Sequence, residues 1–138
     1  MKISARLSHR RDQLETILKT NENSHSITLE PKSQGSGSAT NGGELLFLAL
    51  ATCFCNDIYR EAKKSGMEII SVEVTVEGTF GGEGEPARDV VYGAKVAARA
   101  GHQEIEGLIR RTDLVAEIHN TLRASTPVLL RSVEAISL

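Results

Sequence analysis

The chain has 138 residues, enough for one domain that buries roughly 65–70% of its unfolded surface. Sixteen Lys and Arg against 18 Asp and Glu leave a net charge near −2 with no basic stripe, which argues against nucleic acid as a partner. Only two cysteines occur, Cys53 and Cys55, and aromatics make up 4% of the chain, so neither a disulfide framework nor aromatic stacking is the organising device.

Lys2, Arg6, His9, Arg10 and Arg11 crowd the first residues, so no secretory apolar segment is expected there and the cytoplasm is the expected compartment. Ile3, Ala5 and Leu7 alternate with polar neighbours, a strand period. Gln13 to Lys19 reads as its hairpin partner after a turn near His9 to Asp12. Residues Thr20 to Asn23 form a second turn by composition. His25, Ile27 and Leu29 alternate again until Pro31, giving an antiparallel meander.

Lys32 to Gly43 is a Gly- and Ser-rich loop. Its Gly37-x-x-x-x-Gly42 spacing imitates a phosphate loop. Gly43-Glu44 then stands where Lys and Ser or Thr are required, and Glu44 would repel phosphate, so the loop is read as a flexible approach to a helix, or a lid.

Glu44 to Lys64 is that helix. From Leu45 to Cys55 every residue but Thr52 is apolar, and Leu and Ala dominate. The apolar run is shorter than the ~18 residues a membrane span needs, and charged residues follow at once, so no membrane partner is expected. Asn41 and Glu44 form a capping box at its start, and Ser65-Gly66 after two lysines marks its end. Such a helix is expected to be buried on most sides, with a second copy of the chain supplying cover that a single short chain lacks.

Ile69 to Phe80 carries Val72, Val74 and Val76 on one face and is the clearest strand. Gly81 to Pro86 turns it into a partner strand, Val90 to Arg99. Gln103 to Leu122 has helical spacing of apolar residues, with Thr112-Asp113 as a candidate cap inside it. Pro127 breaks the pattern, and Val128 to Leu138 reads as a closing strand. Strands neighbouring strands place the chain in the α+β class, as a single domain over residues 1–138.

With these elements in order, the chain resembles the OsmC/Ohr family of thiol peroxidases. The resemblance rests on the Gly-rich approach, Glu44-Leu45-Leu46, and a small-residue helix carrying Ala51-Thr52-Cys53-Phe54, followed by the hairpin, closing helix and short strand. It implies antiparallel sheets around a buried central helix in an intertwined homodimer, with sites near the subunit interface. It also implies reduction of organic hydroperoxides by a cysteine pair, regenerated by dithiols such as protein-bound dihydrolipoyl groups; in a one-cysteine cycle a small thiol would take that part. Cys53 matches the family's reactive cysteine and Cys55 matches no catalytic position. The family's second cysteine has no counterpart, Thr126 standing before Pro127 where it belongs. Gly43 occupies the first acidic slot before the helix and Glu44 the second. The activating Arg has candidates in Arg6, Arg10 and Arg11.

The candidate site residues are therefore Cys53, Glu44 and His119. Cys53 is read as a nucleophile, against the alternative of a small buried side chain. Glu44 is read as an Arg orienter or a capping-box residue. His119 is read as a donor near the thiol or as part of the polar side of its helix. Successive helical side chains turn by ~100°, so Cys53 and Cys55 diverge and neither form a disulfide nor chelate one ion together. His9, His25 and His102 show no metal spacing with them, and no cofactor is expected. Two functions follow: a one-cysteine hydroperoxide reductase, or a non-enzymatic dimeric module that holds a small apolar ligand.

Overall fold

A computed structural model describes all of residues 1–138. The chain forms two compact units, residues 1–46 and 47–138. In the first, β1 (Ile3–Arg10), β2 (Gln13–Thr20) and β3 (Asn23–His25) make an antiparallel sheet in the order β1-β2-β3. Arg10 pairs with Gln13, so Arg11 and Asp12 alone make the turn. Arg11 adopts φ 55°, the left-handed backbone that tight hairpins need.

The third strand stops short of the expected Leu29, and Thr16 is the cause. Its hydroxyl accepts the Ile27 N–H at 3.0 Å and donates to the Ile27 carbonyl, taking over both groups from the strand ladder. The Gly-rich loop is closed rather than loose. Lys32 N–H reaches Gly37 O at 3.0 Å, Ala39 N–H reaches Glu30 O at 2.8 Å, and Pro31 bridges to Ser38.

Helix α1 (Gly42–Ser65) starts as anticipated. The Asn41 N–H donates to Glu44 Oε2 at 2.7 Å, and the Glu44 N–H donates to Asn41 Oδ1 at 2.9 Å. It ends in a Schellman turn. Gly66 takes φ 69°, its N–H bonds Lys63 O, and the Met67 N–H bonds Ala62 O.

In the second unit, β4 (Ile69–Phe80) pairs antiparallel with β5 (Ala87–Ala98), Val74 opposite Ala94. The register slips between Glu77 and Thr79 at Gly78, where a Cβ would sit 2.9 Å from the Phe47 ring and 3.1 Å from Val90. One face of this hairpin, with Val72, Val74, Tyr92, Ala94 and Val96, covers the core of Phe54, Ile58, Ala62, Leu108 and Ala116. Burial of Phe54 or Leu108 stabilises the fold by about 1.5–3 kcal/mol each.

Helices α2 (His102–Val115) and α3 (Glu117–Arg123) follow. The break lies at Ala116, not at Thr112-Asp113. Ala116 is extended, with φ −73° and ψ 102°. Thr112 is fully buried and returns its hydroxyl to Leu108 O at 2.8 Å, a bond that lets it stay inside a helix instead of capping one.

The architecture is α+β with antiparallel sheets, as the sequence implies. Two details differ. In the single chain the burial of α1 is a stripe, Leu50, Phe54, Asp57, Ile58 and Ala62, while Leu48 is 59% exposed. The expected closing strand is absent. Residues 126–138 adopt neither helix nor strand, and Val128, Leu129, Leu130, Val133 and Ile136 are exposed. A strand exists only through its partner's hydrogen bonds, and here no edge pairs with this segment.

Candidate functional site

Cys53 lies on the flank of the buried stripe of α1, and its surroundings are acidic. Its thiol donates to Asp57 Oδ2 at 3.4 Å, one helical turn on, and lies 3.9 Å from Glu117 Oε2 at the start of α3. Asp57 is buried, with 5% of its surface exposed. Its other oxygen takes Arg60 Nη1 at 3.0 Å, and the same nitrogen reaches Glu117 Oε1 at 2.8 Å. Arg60 also bonds Glu61 Oε1 at 3.0 Å and the Val115 carbonyl at 3.4 Å. One cation thus holds α1 to the α2–α3 junction.

The electrostatics follow from burial and these partners. Burial pushes the Cys53 thiol up, and Asp57 and Glu117 push it the same way; only the Ile118 N–H opposes them. Burial also raises Asp57, with Cys53 and Arg60 opposing. Glu117 is held down by its own N–H and by Arg60. The carboxyl of this pair that more readily holds a proton is therefore Asp57. The sulfur and the two carboxylates lie within 4.8 Å of one another, and the cation among them is Arg60. Arg60 already supplies positive charge to both acids.

Cys55 points the opposite way. It lines a shallow hollow of about 280 Å³ with Ala51, Thr52, Asn56 and Val74, and no acid or base faces it there. Both cysteines are free.

Glu44 is the capping partner of Asn41 and makes no hydrogen bond to Cys53. His119 corrects both readings made of it. It is neither a thiol donor nor on the wetted side of its helix. Its ring is 5% exposed and packs between Phe54 and Tyr92, with centroids 5.6 and 4.5 Å away. Neither ring nitrogen has a hydrogen-bond partner. Burial lowers its pKa, Arg123 adds to that, and Asp113 opposes. Beside it, Tyr92 donates its hydroxyl to Asp113, which Arg123 also holds at 2.6 Å.

Arg6 donates to Ser8 Oγ at 3.1 and 3.3 Å within β1. The acidic partner Asp57 and the cation Arg60 escaped the sequence reading. Spacing signalled both: Asp57 is at i+4 from Cys53 and Arg60 at i+3 from Asp57, the neighbours on a helix surface. Glu117 carried no such signal, because only the fold brings it to the sulfur.

The model of the OsmC-like protein family matches residues 35–131, more than half of the chain and including Cys53, Asp57, Arg60 and Glu117. No curated protein matches the chain. Solved structures match at low identity. An OsmC-like protein from Mycoplasma pneumoniae superposes with a TM-score of 0.65 at 17% identity, covering 89% of this chain and 88% of its own. An organic hydroperoxide resistance protein from Legionella pneumophila gives 0.57 at 19% identity, covering 89% and 90%. The organic hydroperoxide resistance protein OhrB of Bacillus subtilis gives 0.54 at 14% identity, covering 89% and 91%. At these identities the structures establish a shared fold. No helix is long and apolar enough to cross a membrane.

Proposed function

This chain belongs to the OsmC-like protein family, and from that premise we propose that it reduces organic hydroperoxides through Cys53 in a one-cysteine cycle. The names of the Legionella and Bacillus proteins point to this substrate class. The observation that carries the assignment to Cys53 is its contact with proton-handling groups, Asp57 and Glu117, while Cys55 has none. Cys53 sulfur attacks the terminal peroxide oxygen; the S–O bond forms as the O–O bond breaks, leaving a sulfenic acid and an alcohol. A small thiol or dihydrolipoyl group, or Cys53 of a second subunit, then condenses with the sulfenic acid and releases water. A further thiol restores Cys53. The working form is a cytoplasmic homodimer, whose second copy covers the open side of α1 and the exposed apolar residues after Pro127.

A second reading has its own support. Burial and two carboxylates keep the thiol protonated, the reverse of an activated cysteine, and this suits a dimeric module that binds a small apolar ligand without chemistry. Single-turnover oxidation by cumene hydroperoxide separates the two, with sulfenic acid trapped and mapped by mass. The peroxidase reading expects trapping at Cys53, abolished in Cys53→Ser and nearly intact in Cys55→Ser. A wild type no faster than free cysteine at the same pH leaves the binding module as the better account.

A further inference from the structure

A thiol that burial and acid neighbours keep protonated reaches its nucleophilic form only by losing its proton during the reaction. What receives that proton is decided by contact. Asp57 Oδ2 is the acceptor of the Cys53 S–H at 3.4 Å, and Glu117 Oε2 is farther, at 3.9 Å. Asp57 is buried while the Glu117 side chain is 63% exposed, so water competes for Glu117 and not for Asp57. Orientation favours the same residue. Arg60 holds one oxygen of each acid, Asp57 Oδ1 at 3.0 Å and Glu117 Oε1 at 2.8 Å, but only Asp57 shares a helix with the thiol, which sets their i, i+4 spacing.

We propose that Asp57 is a catalytic residue, the carrier of the proton from the Cys53 thiol to the departing alkoxide. The inference rests on the hydroperoxide reading above. In the first half of the step, the S–H proton moves to Asp57 Oδ2 as sulfur closes on the terminal peroxide oxygen. In the second half, the O–O bond breaks, its electron pair leaves with the alkoxide, and Asp57 returns the proton to make the alcohol. Sulfur is oxidised to the sulfenic acid and the peroxide is reduced. No proton is gained or lost overall, and Asp57 ends as the carboxylate it began as. Arg60 is a positioning residue, holding the carboxylate in register with the sulfur.

The opposing possibility is that Asp57 only suppresses the thiol by its charge. The two differ in sign. Replacing Asp57 by Asn removes a negative charge beside sulfur and favours the thiolate, so alkylation of Cys53 by iodoacetamide should be as fast as wild type or faster. A lost proton carrier slows peroxide reduction instead, by about 100-fold at neutral pH, the lower range for a positioned base. The experiment therefore measures both rates on the full chain, with Cys55→Ser as background and sulfenic acid trapped from cumene hydroperoxide. Asp57→Glu, which keeps a carboxylate, should recover part of the peroxide rate. Slowed reduction with unslowed alkylation upholds the proposal. Reduction by Asp57→Asn at the wild-type rate or above overturns it and leaves the hydroperoxide reading standing. A wild type no faster than free cysteine overturns both. Should Asp57→Asn lose its circular dichroism spectrum, the wild-type pH profile decides. A rate that falls as pH drops through the carboxyl range and is level above it fits Asp57. A rate that climbs tenfold per pH unit with the thiolate alone overturns the proposal.

Discussion

His119 offers the sharpest test of the energetics. Its two ring nitrogens are buried without partners, and each buried unsatisfied polar group costs about 1–3 kcal/mol. Replacing His119 by Phe keeps an aromatic ring between Phe54 and Tyr92 and removes both nitrogens. We expect a gain of about 1–3 kcal/mol at pH 7.5, less than the sum of two groups because the larger ring meets a close-packed wall. The pH dependence gives a second, independent number. Burial holds the folded pKa of His119 below the ordinary histidine value near 6.5, so the unfolded state binds the extra proton. Stability from neutral His119 is present above the unfolded pKa near 6.5 and is lost as pH falls toward the folded value. The slope in that window approaches about 1.4 kcal/mol per pH unit. Asp113, Arg123 and Tyr92 face the ring, and they remain in the variant, so subtracting the two profiles isolates His119. Urea unfolding of wild type and His119→Phe from pH 7.5 to 5 supplies the data. A variant less stable than wild type at pH 7.5, or one that keeps the same slope below pH 6.5, refutes the account of His119 as a buried, unsatisfied, neutral ring.

Two further outcomes follow from the same structure. Arg60→Met leaves Asp57 and Glu117 without their shared cation, so the Cys53 thiol should rise further. Iodoacetamide alkylation at fixed pH should slow about tenfold per unit of rise, and an unchanged or faster rate contradicts the assignment. Sedimentation across nanomolar to micromolar concentration should find a dimer, because Leu48 and the apolar residues from Val128 to Ile136 are too exposed for a lone chain; a well-behaved monomer throughout that range counts against it.

Local chemistry makes much of the fold legible in the sequence. Ile69 to Phe80 is a strand over the span its alternation implies, and Asn41, Glu44 and Gly66 cap α1 as their types demand. Patterns that depend on a distant partner were read less well. Val128 to Leu138 has strand composition, but no sheet edge receives it. Ile27 has strand spacing, but the Thr16 hydroxyl reaches its backbone first. Around Cys53, Asp57 and Arg60 were within reach of helical arithmetic. Glu117 and the aromatic pocket of His119 were not, since both depend on where Ala116 breaks the helix and turns α3 toward α1 and β5.

That break at Ala116 divides the surroundings of the thiol between two elements. Helix α3 has only seven residues, tied back by Asn120 Nδ2 to Leu114 O at 3.1 Å and by Arg123 to the Asp113 carbonyl at 3.1 Å. Arg60 to Glu117, and His119 between Phe54 and Tyr92, seat it on α1 and β5 as well. Asp57 reaches sulfur from within α1, whereas Glu117 and the Ile118 N–H reach it only because the chain turns at Ala116.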